Sequence, residues 1–590
     1  MFVRPGVLAV LALVTALATA THAQAPADAI SVALARNVDG PSRYLVGPIG
    51  LTASGRGITA LEPTVPALAT QPRIVIVGGL DGSPDGTRAV LDLLTWRFAP
   101  GTETKNRARW QVAAVPCALP DRCQPIAAGS TAAAGARPSA LPIVPPTFPP
   151  DKGFYDAAEF REARFLWRWT AMLGPDLVID VRSGPTLVWQ SNSLARDRVA
   201  ASAAAPPDSF VGALGMGAPS GLAPVPALQV SGPPAQVTRA LRTLLEGAGA
   251  TVPSPMNRVL TARQSRPPLD LARMLAARYP ANPAMSYIPA LSWSGALRLS
   301  AVTGDPQYRE RAVAQMTPFL SGEKPAIAEP YLLTSLAGHQ AFFDLAESDG
   351  NAAADALARR AADFILDGQS DGAIRFATSW TDDMFMATSV LARAAKRTGE
   401  AKYAAAVARL LTSYAERLQR EDRVFIHAQS GPHAWGRGNG FAAFGLMEAL
   451  TYLPPSWPAR AQVLDSFRRL MNGMRRHQAP DGAWHQVIDE PGTYREFTAT
   501  AMIVAAMARG VRLGWLDASF QNVVDHGWRA VLARVSETGE LVDVCAGTGA
   551  GQNATREYYL NRPALFGADD RGGAMALTAA LEMQALTGAK

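Results

Sequence analysis

Two adjacent carboxylates, Asp382 and Asp383, open an apolar run within WTDDMFM, residues 380–386. A helix interior does not tolerate such a pair without partners, because an unpaired buried charge is costly. They belong at a helix start, where Asp caps free amides and meets the positive end of the dipole, or in a site that uses one of them. Further along come His427, His433 and the segment WGRGNGF, residues 435–441. Indole, imidazole, guanidinium, amide and carboxylate groups clustered in this way suit a pocket that stacks on a sugar ring and grips a carboxylate.

These residues need elements to hold them. From Pro267 onward, apolar residues recur at helical spacing in one segment after another, separated by Gly-Asp and Asp-Gly turns. This pattern predicts helix pairs stacked around a ring, with a funnel at one end lined by loops and helix N-termini. No exact repeat is visible, so a solenoid is the weaker expectation. Residues 26–264 read differently. RIVIVGG at 73–79, residues 112–116 and DLVIDV at 176–181 are short buried strands, and residues 159–173 form a helix between them. That alternation predicts an α/β domain on a mostly parallel sheet. Residues 123–150 and 203–234, rich in Ala, Pro and Gly, read as loops.

The chain has 590 residues, 48% apolar and 18% charged, as expected of a folded protein with more than one domain. Its net charge of +6 is dispersed without a Lys/Arg run, which argues against nucleic acid as a partner. Residues 1–25 read as a signal peptide. Arg4 supplies the positive start, and Val7 to Ala20 is apolar but too short to span a bilayer. Cleavage after Ala23 or after Ala25 fits. No later segment looks membrane-spanning, so the expectation is an exported, periplasmic or secreted protein. Cys117 and Cys123 are close enough for a disulfide in that compartment, which leaves Cys545 as a small buried residue.

The helical half resembles the unsaturated rhamnogalacturonyl hydrolases, glycoside hydrolase family 105, which is related to family 88. The resemblance rests on Trp380-Thr381-Asp382 with Met384, on His427-Ala428 and on Trp435-Gly436-Arg437-Gly438-Asn439-Gly440. DGAWHQV at 481–487, Tyr494 to Met502, Gly510 to Asp517, Cys545 to Gly549, Tyr558-Tyr559 and Gly572-Gly573-Ala574 complete the order. The resemblance implies an (α/α)6 barrel over residues 265–590. It also implies hydrolysis of oligosaccharides that carry a 4,5-unsaturated uronate at the non-reducing end, without a cofactor. Carried over by position, Asp382 is the general acid/base, with a pKa raised by burial beside Trp380, and His427 orients water or a hydroxyl. Arg437 pairs with the uronate carboxylate, Trp380 and Trp435 stack on the sugar, and Tyr287 and Asn439 contact it. His433 and His485 are left as structural, and Glu496 as a brace for a helix start. The chain departs from the family pattern at Leu333-Thr334, where relatives carry a second Asp and Glu329 is the nearest carboxylate. It also departs at Phe441, where a Trp is usual, and at Gln429-Ser430.

The first domain faintly resembles zinc carboxypeptidases of the M14 type, but Asp81, Pro84 and Arg182 stand where metal ligands are expected. Proline and arginine do not ligate zinc. Arg182 beside Ser183 suits a structural salt bridge better than an anion site. The combined expectation is an exported glycosidase acting on an anionic oligosaccharide. Two alternatives stay open: a glycan-binding protein without turnover, and a hydrolase of a saturated glycan, which needs a second carboxylate.

Overall fold

The computed structural model describes residues 29–37, 43–64, 71–99, 109–123, 147–149, 161–200, 202–217, 223–247, 252–367, 373–549, 551 and 554–588. The predicted signal peptide lies outside them, as does most of the predicted loop at 123–150.

The N-terminal domain is an eight-stranded mixed sheet. In chain order its strands are β1 (Tyr44–Leu51), β2 (Gly57–Pro63), β3 (Arg73–Gly78), β4 (Gln111–Val115), β5 (Leu177–Arg182), β6 (Val188–Ser191), β7 (Ala203–Ala204) and β8 (Ala227–Ser231). Their order across the sheet is β1-β2-β4-β3-β5-β8-β6-β7. β4, β3, β5 and β8 pair in parallel, whereas β1, β2 and β6 attach antiparallel to their inner neighbours. The four-strand centre is largely buried on both faces and is mostly apolar, with RIVIVG of β3 its clearest run, as parallel strands are. The expectation of a mostly parallel sheet holds for this centre and fails at the edges.

The span 203–234 is not simply a loop. It holds β7, β8 and a short helix, Phe210–Leu214, capped by Ser209. Its Gly and Pro residues punctuate those elements instead of replacing them. The Cys117–Cys123 disulfide is formed, and Cys545 is buried and free. The three positions compared with metal ligands are all taken into structure. Asp81 accepts from the Ser183 amide (2.8 Å) and hydroxyl (2.7 Å), Pro84 starts the helix Pro84–Phe98, and Arg182 pairs with buried Asp180 at 2.8 Å.

The C-terminal domain is a double ring of helices. The inner helices are α1 (Tyr287–Thr303), α2 (Gln340–Asp349), α3 (Thr381–Thr398), α4 (Gly436–Tyr452), α5 (Phe497–Arg512) and α6 (Asp570–Gly588). Each packs on the next, and α6 returns to α1, closing the ring. Helices Pro268–Arg278, Gln307–Leu320, Ala352–Leu366, Ala401–Leu418, Arg460–Arg476 and Gln521–Ala533 pack outside α6, α1, α2, α3, α4 and α5 respectively. Among the described residues this gives six inner and six outer helices, the (α/α)6 arrangement. The inner helices are apolar nearly all round, as expected of elements enclosed by neighbours. Their close approach depends on small residues. A Cβ on Gly445 of α4 would lie 2.2 Å from the Met384 carbonyl oxygen of α3.

In the N-terminal half of α3 and α4 lies a cluster of buried phenylalanines. Phe385 and Phe441 stack with centroids 6.1 Å apart, and Phe444 meets Phe385 edge-on at 5.5 Å. On the side of the inner helices' C-termini, a cavity of about 570 Å³ is lined by Arg393, Glu448, Arg509 and Glu582, which are joined in a salt-bridge network. On the other side the N-termini of α3, α4, α5 and α6 converge.

Candidate active site

The start of α3 separates its two carboxylates by environment. Asp383 points toward the outer helix Ala401–Leu418 and is buried. It accepts from the Thr378 amide (2.7 Å) and hydroxyl (3.0 Å), the Ser379 amide (2.8 Å) and the Tyr414 hydroxyl (2.6 Å). Burial raises its pKa to about 6, against the donated hydrogen bond from Tyr414. These bonds close the turn before the helix, where Phe376 and Ser379 hold positive φ angles of 64° and 65°. Such conformations are unfavourable for bulky residues unless neighbours fix them. Asp383 is thus the anchor that sets Trp380 and Asp382 in place.

Asp382 faces the funnel with 19% of its side chain exposed. Its Oδ2 lies 3.0 Å from His427 Nε2, and the other ring nitrogen of His427, Nδ1, lies 2.7 Å from the Tyr559 hydroxyl. His427 is fully buried between Trp380 (5.3 Å between centroids) and Trp435 (4.6 Å). Both its nitrogens are therefore engaged. The expectation that His427 orients water is replaced by a different arrangement: the imidazole links Asp382 to Tyr559. Burial raises the Tyr559 pKa, with the Asp382 charge adding to the rise, so the hydroxyl keeps its proton. If it donates to Nδ1, Nε2 carries the other proton and donates to an ionised Asp382. If it turns to the Gly549 carbonyl at 3.4 Å, Nδ1 donates to it and Nε2 accepts from protonated Asp382. The same three residues thus accommodate Asp382 with or without its proton.

Arg437, in the first turn of α4, is buried and lies over the Trp435 ring at 5.0 Å. Its Nη1 donates to the Cys545 carbonyl (2.9 Å) and the Thr498 hydroxyl (3.3 Å), both neutral acceptors. Among the described residues no carboxylate forms a salt bridge with it. The nearby carboxylate Glu496 is buried and committed elsewhere. It caps α5 through the Thr498 and Ala499 amides, takes the Thr498 hydroxyl, and accepts from the Cys545 amide at 2.8 Å. A buried guanidinium held by neutral groups retains capacity for an incoming anion. Tyr287, at the start of α1, stands edge-on to Phe441 at 5.6 Å, where Arg437, Arg571 and Asp382 all act on its hydroxyl. Arg571, at the start of α6, also donates to the Cys545 carbonyl, at 3.1 Å.

Two predicted contacts require correction. Asn439 is buried, and its amide is spent on backbone. Nδ2 donates to the Phe425 and Trp435 carbonyls, and Oδ1 accepts from the Phe425 amide. It clips the segment leading to His427 onto α4, with both amide hydrogens committed to backbone. Trp435 is only 2% exposed. It lies over Gly438, where a Cβ would come within 3.0 Å of its ring. It therefore supports His427 and Arg437 from beneath, and the indole left at the funnel is Trp380, which is only partly buried. Glu329, the nearest candidate for a second carboxylate, is exposed before helix Leu333–Leu336. His485 is buried with Nδ1 on the Thr493 carbonyl, and burial lowers its pKa to about 4, which keeps it neutral. Sequence reasoning gave no role to Tyr559 or Arg571. Tyr559 stands in the pair Tyr558-Tyr559, and Arg571 immediately precedes Gly572-Gly573.

Residues 272–587, just over half of the chain, match the profile described as Glycosyl Hydrolase Family 88. The chain is 29% identical over 175 residues to an unsaturated 3S-rhamnoglycuronyl hydrolase of Alteromonas sp. (strain LOR), covering 28% of this chain and 42% of that protein. It is 32% identical over 120 residues to the unsaturated rhamnogalacturonyl hydrolase YesR of Bacillus subtilis (strain 168), covering 20% of this chain and 33% of that one. The aligned segments thus span less than half of either relative. A solved structure of a possible member of glycoside hydrolase family 105 from Salmonella enterica superposes with a TM-score of 0.49 at 17% identity, over 54% of this chain and 94% of that one.

Proposed function

Because the chain belongs to Glycosyl Hydrolase Family 88, we propose that it removes a 4,5-unsaturated uronate from the non-reducing end of oligosaccharides by hydrating the vinyl ether. One observation carries this reading: a buried Arg437 that, among the described residues, forms no salt bridge with a carboxylate stands close to the partly exposed carboxylate of Asp382. Arg437 takes the uronate carboxylate through its planar fork, and Trp380 offers its face to the ring. Asp382 gives its proton to C4 of the alkene, and the electron pair of the double bond forms the new C–H bond. Positive charge develops at C5 and on the ring oxygen. Ionised Asp382, held by His427, then takes a proton from water as that water adds to C5. The resulting hemiketal opens and releases the remaining saccharide.

Ordinary glycoside hydrolysis calls for two carboxylates across the scissile bond. Asp383 and Glu496 are committed to backbone donors, which favours the hydration route over a saturated glycan. The named substrates of the two relatives make rhamnose-linked uronates the first to test. Export to the periplasm or medium is part of the proposal, supported by the apolar N-terminal segment and by the Cys117–Cys123 disulfide. The deciding experiment follows the ultraviolet band of the enol ether across a panel of lyase-generated disaccharides. Decay with at least one of them is expected. Binding without decay across the panel would replace the enzyme by a glycan-binding protein.

A further inference from the structure

The N-terminal domain reaches the barrel through buried charge. Glu62 of β2 accepts both of its bonds from Arg495 Nη2, at 2.7 and 2.8 Å. Arg168, on the helix Arg161–Leu173, places Nε 2.6 Å from Asp543 and its guanidinium 5.1 Å from the Tyr494 ring centroid. Inside the barrel the series continues: Arg495 to Asp481 at 3.6 Å, Asp481 to Arg534 at 2.7 Å, and Arg534 to Asp543 at 3.6 Å. Three cations and three anions alternate along it, all of them largely shielded from water. For both Arg495 and Asp543, the nearest opposite charge belongs to the other domain. Asp543 holds a positive φ of 64°, a conformation that needs fixing from outside.

The barrel ends of this series adjoin the substrate arginine. Arg495 precedes Glu496, and Asp543 lies two residues before Cys545 in the strand Leu541–Cys545. Glu496 accepts from the Cys545 amide, and the Cys545 carbonyl accepts from Arg437 and Arg571. We propose that the N-terminal domain is an integral wall of the active site, in which Glu62 and Arg168 are positioning residues that fix Glu496 and Cys545 and, through them, the aim of Arg437 at the substrate carboxylate. The identity of that carboxylate rests on the function proposed above; the mechanical linkage does not.

Two variants of the full chain test it. Glu62→Gln keeps the shape and removes one charge. Arg168→Met combined with Asp543→Asn removes a pair together, so that no charge is left orphaned. Hydrogen exchange followed by mass spectrometry reads the linkage without substrate: amides at 494–499 and 541–547 should exchange faster in both variants, while those of α2 stay as they were. With a turned-over disaccharide, KM should rise about tenfold while kcat changes by less than about threefold. On an Arg437→Lys background the same changes should add nothing further to KM, because the residue they position is already impaired. Arg161→Gln removes an exposed interdomain pair with Glu557 and should leave KM unchanged. Unchanged exchange at both segments would overturn the linkage, whatever the substrate proves to be. Altered exchange with wild-type KM, or a KM effect that persists in full on the Arg437→Lys background, would overturn the role in aiming Arg437. Inactivity of the wild type on every disaccharide would refute the proposed function and leave the exchange result to decide the linkage.

Discussion

The Tyr559 hydroxyl offers the most direct probe of the link between Asp382 and His427. Tyr559→Phe removes one oxygen. It keeps the ring, which meets His427 edge-on at 5.8 Å and His433 at 5.0 Å, so the packing around the site is preserved. The loss falls on His427 Nδ1, which is fully buried and whose partner at 2.7 Å is that oxygen. Leaving a buried polar atom without its bond costs about 1–3 kcal/mol. The imidazole is then free to turn or to take the other tautomer, and its hold on Asp382 weakens as the proton moves. If about 2 kcal/mol of that cost appears in the transition state, kcat falls about thirtyfold. KM should change little, because Arg437 and Trp380 are untouched. Steady-state rates from the enol-ether band, with thermal melting as a control for folding, measure both quantities. A folded Tyr559→Phe protein with kcat within about twofold of wild type would show that the imidazole does not govern Asp382.

Asp382→Asn should retain the fold and saccharide binding while kcat drops by about 10²–10⁴, the range for a lost acid/base group; titration calorimetry with an unconsumed disaccharide checks the binding. Asp383 acts on stability through its proton. Its folded pKa near 6 exceeds the ordinary value of 3.8, so the folded state holds the proton more tightly. The contribution therefore favours folding most below about pH 4, declines as pH rises through about 6, and amounts to about 3 kcal/mol across that window. Asp383→Asn, which can still accept the backbone amides, should melt closer to wild type, or above it, as pH is raised from about 4 to about 7; a difference in Tm that does not vary with pH would refute the assignment. Gly445→Ala should lower the melting temperature, at a cost of about 1–3 kcal/mol, because the added methyl meets the Met384 carbonyl; an unchanged melting curve would show that α3 and α4 separate without penalty.

The double ring was legible because outer and inner helices alternate along the chain and both repeat at the same apolar spacing. The carboxylate pair was legible for a local reason: two Asp residues ahead of an apolar run mark a helix start or a site that uses one of them. Roles that depend on distant partners were not legible. Asn439 looks like a ligand in the sequence because it is polar and flanked by glycines, yet its partners at Phe425 lie fourteen residues away across a turn. Trp435 looks like a platform, but Gly438 beneath it draws the ring into the interior. Tyr559 reaches His427 across 132 residues, and no spacing rule connects them. In the first domain, prolines and glycines at 203–234 hid a short helix, the edge strand β7 and the central strand β8, because turn residues mark both the ends of elements and their absence.

The phenylalanine layer across the bore has a consequence for how sugar chains are handled. With Phe385, Phe441 and Phe444 buried against one another, the described residues close the bore between the Asp382 side and the cavity lined by Arg393 and Glu448. On the proposed function, a saccharide cannot be threaded through such a bore, and both products leave by the side on which the chain end entered. An enzyme of that shape would trim one terminal unit per visit, and its throughput would depend on how many chain ends are supplied, not on how long the chains are.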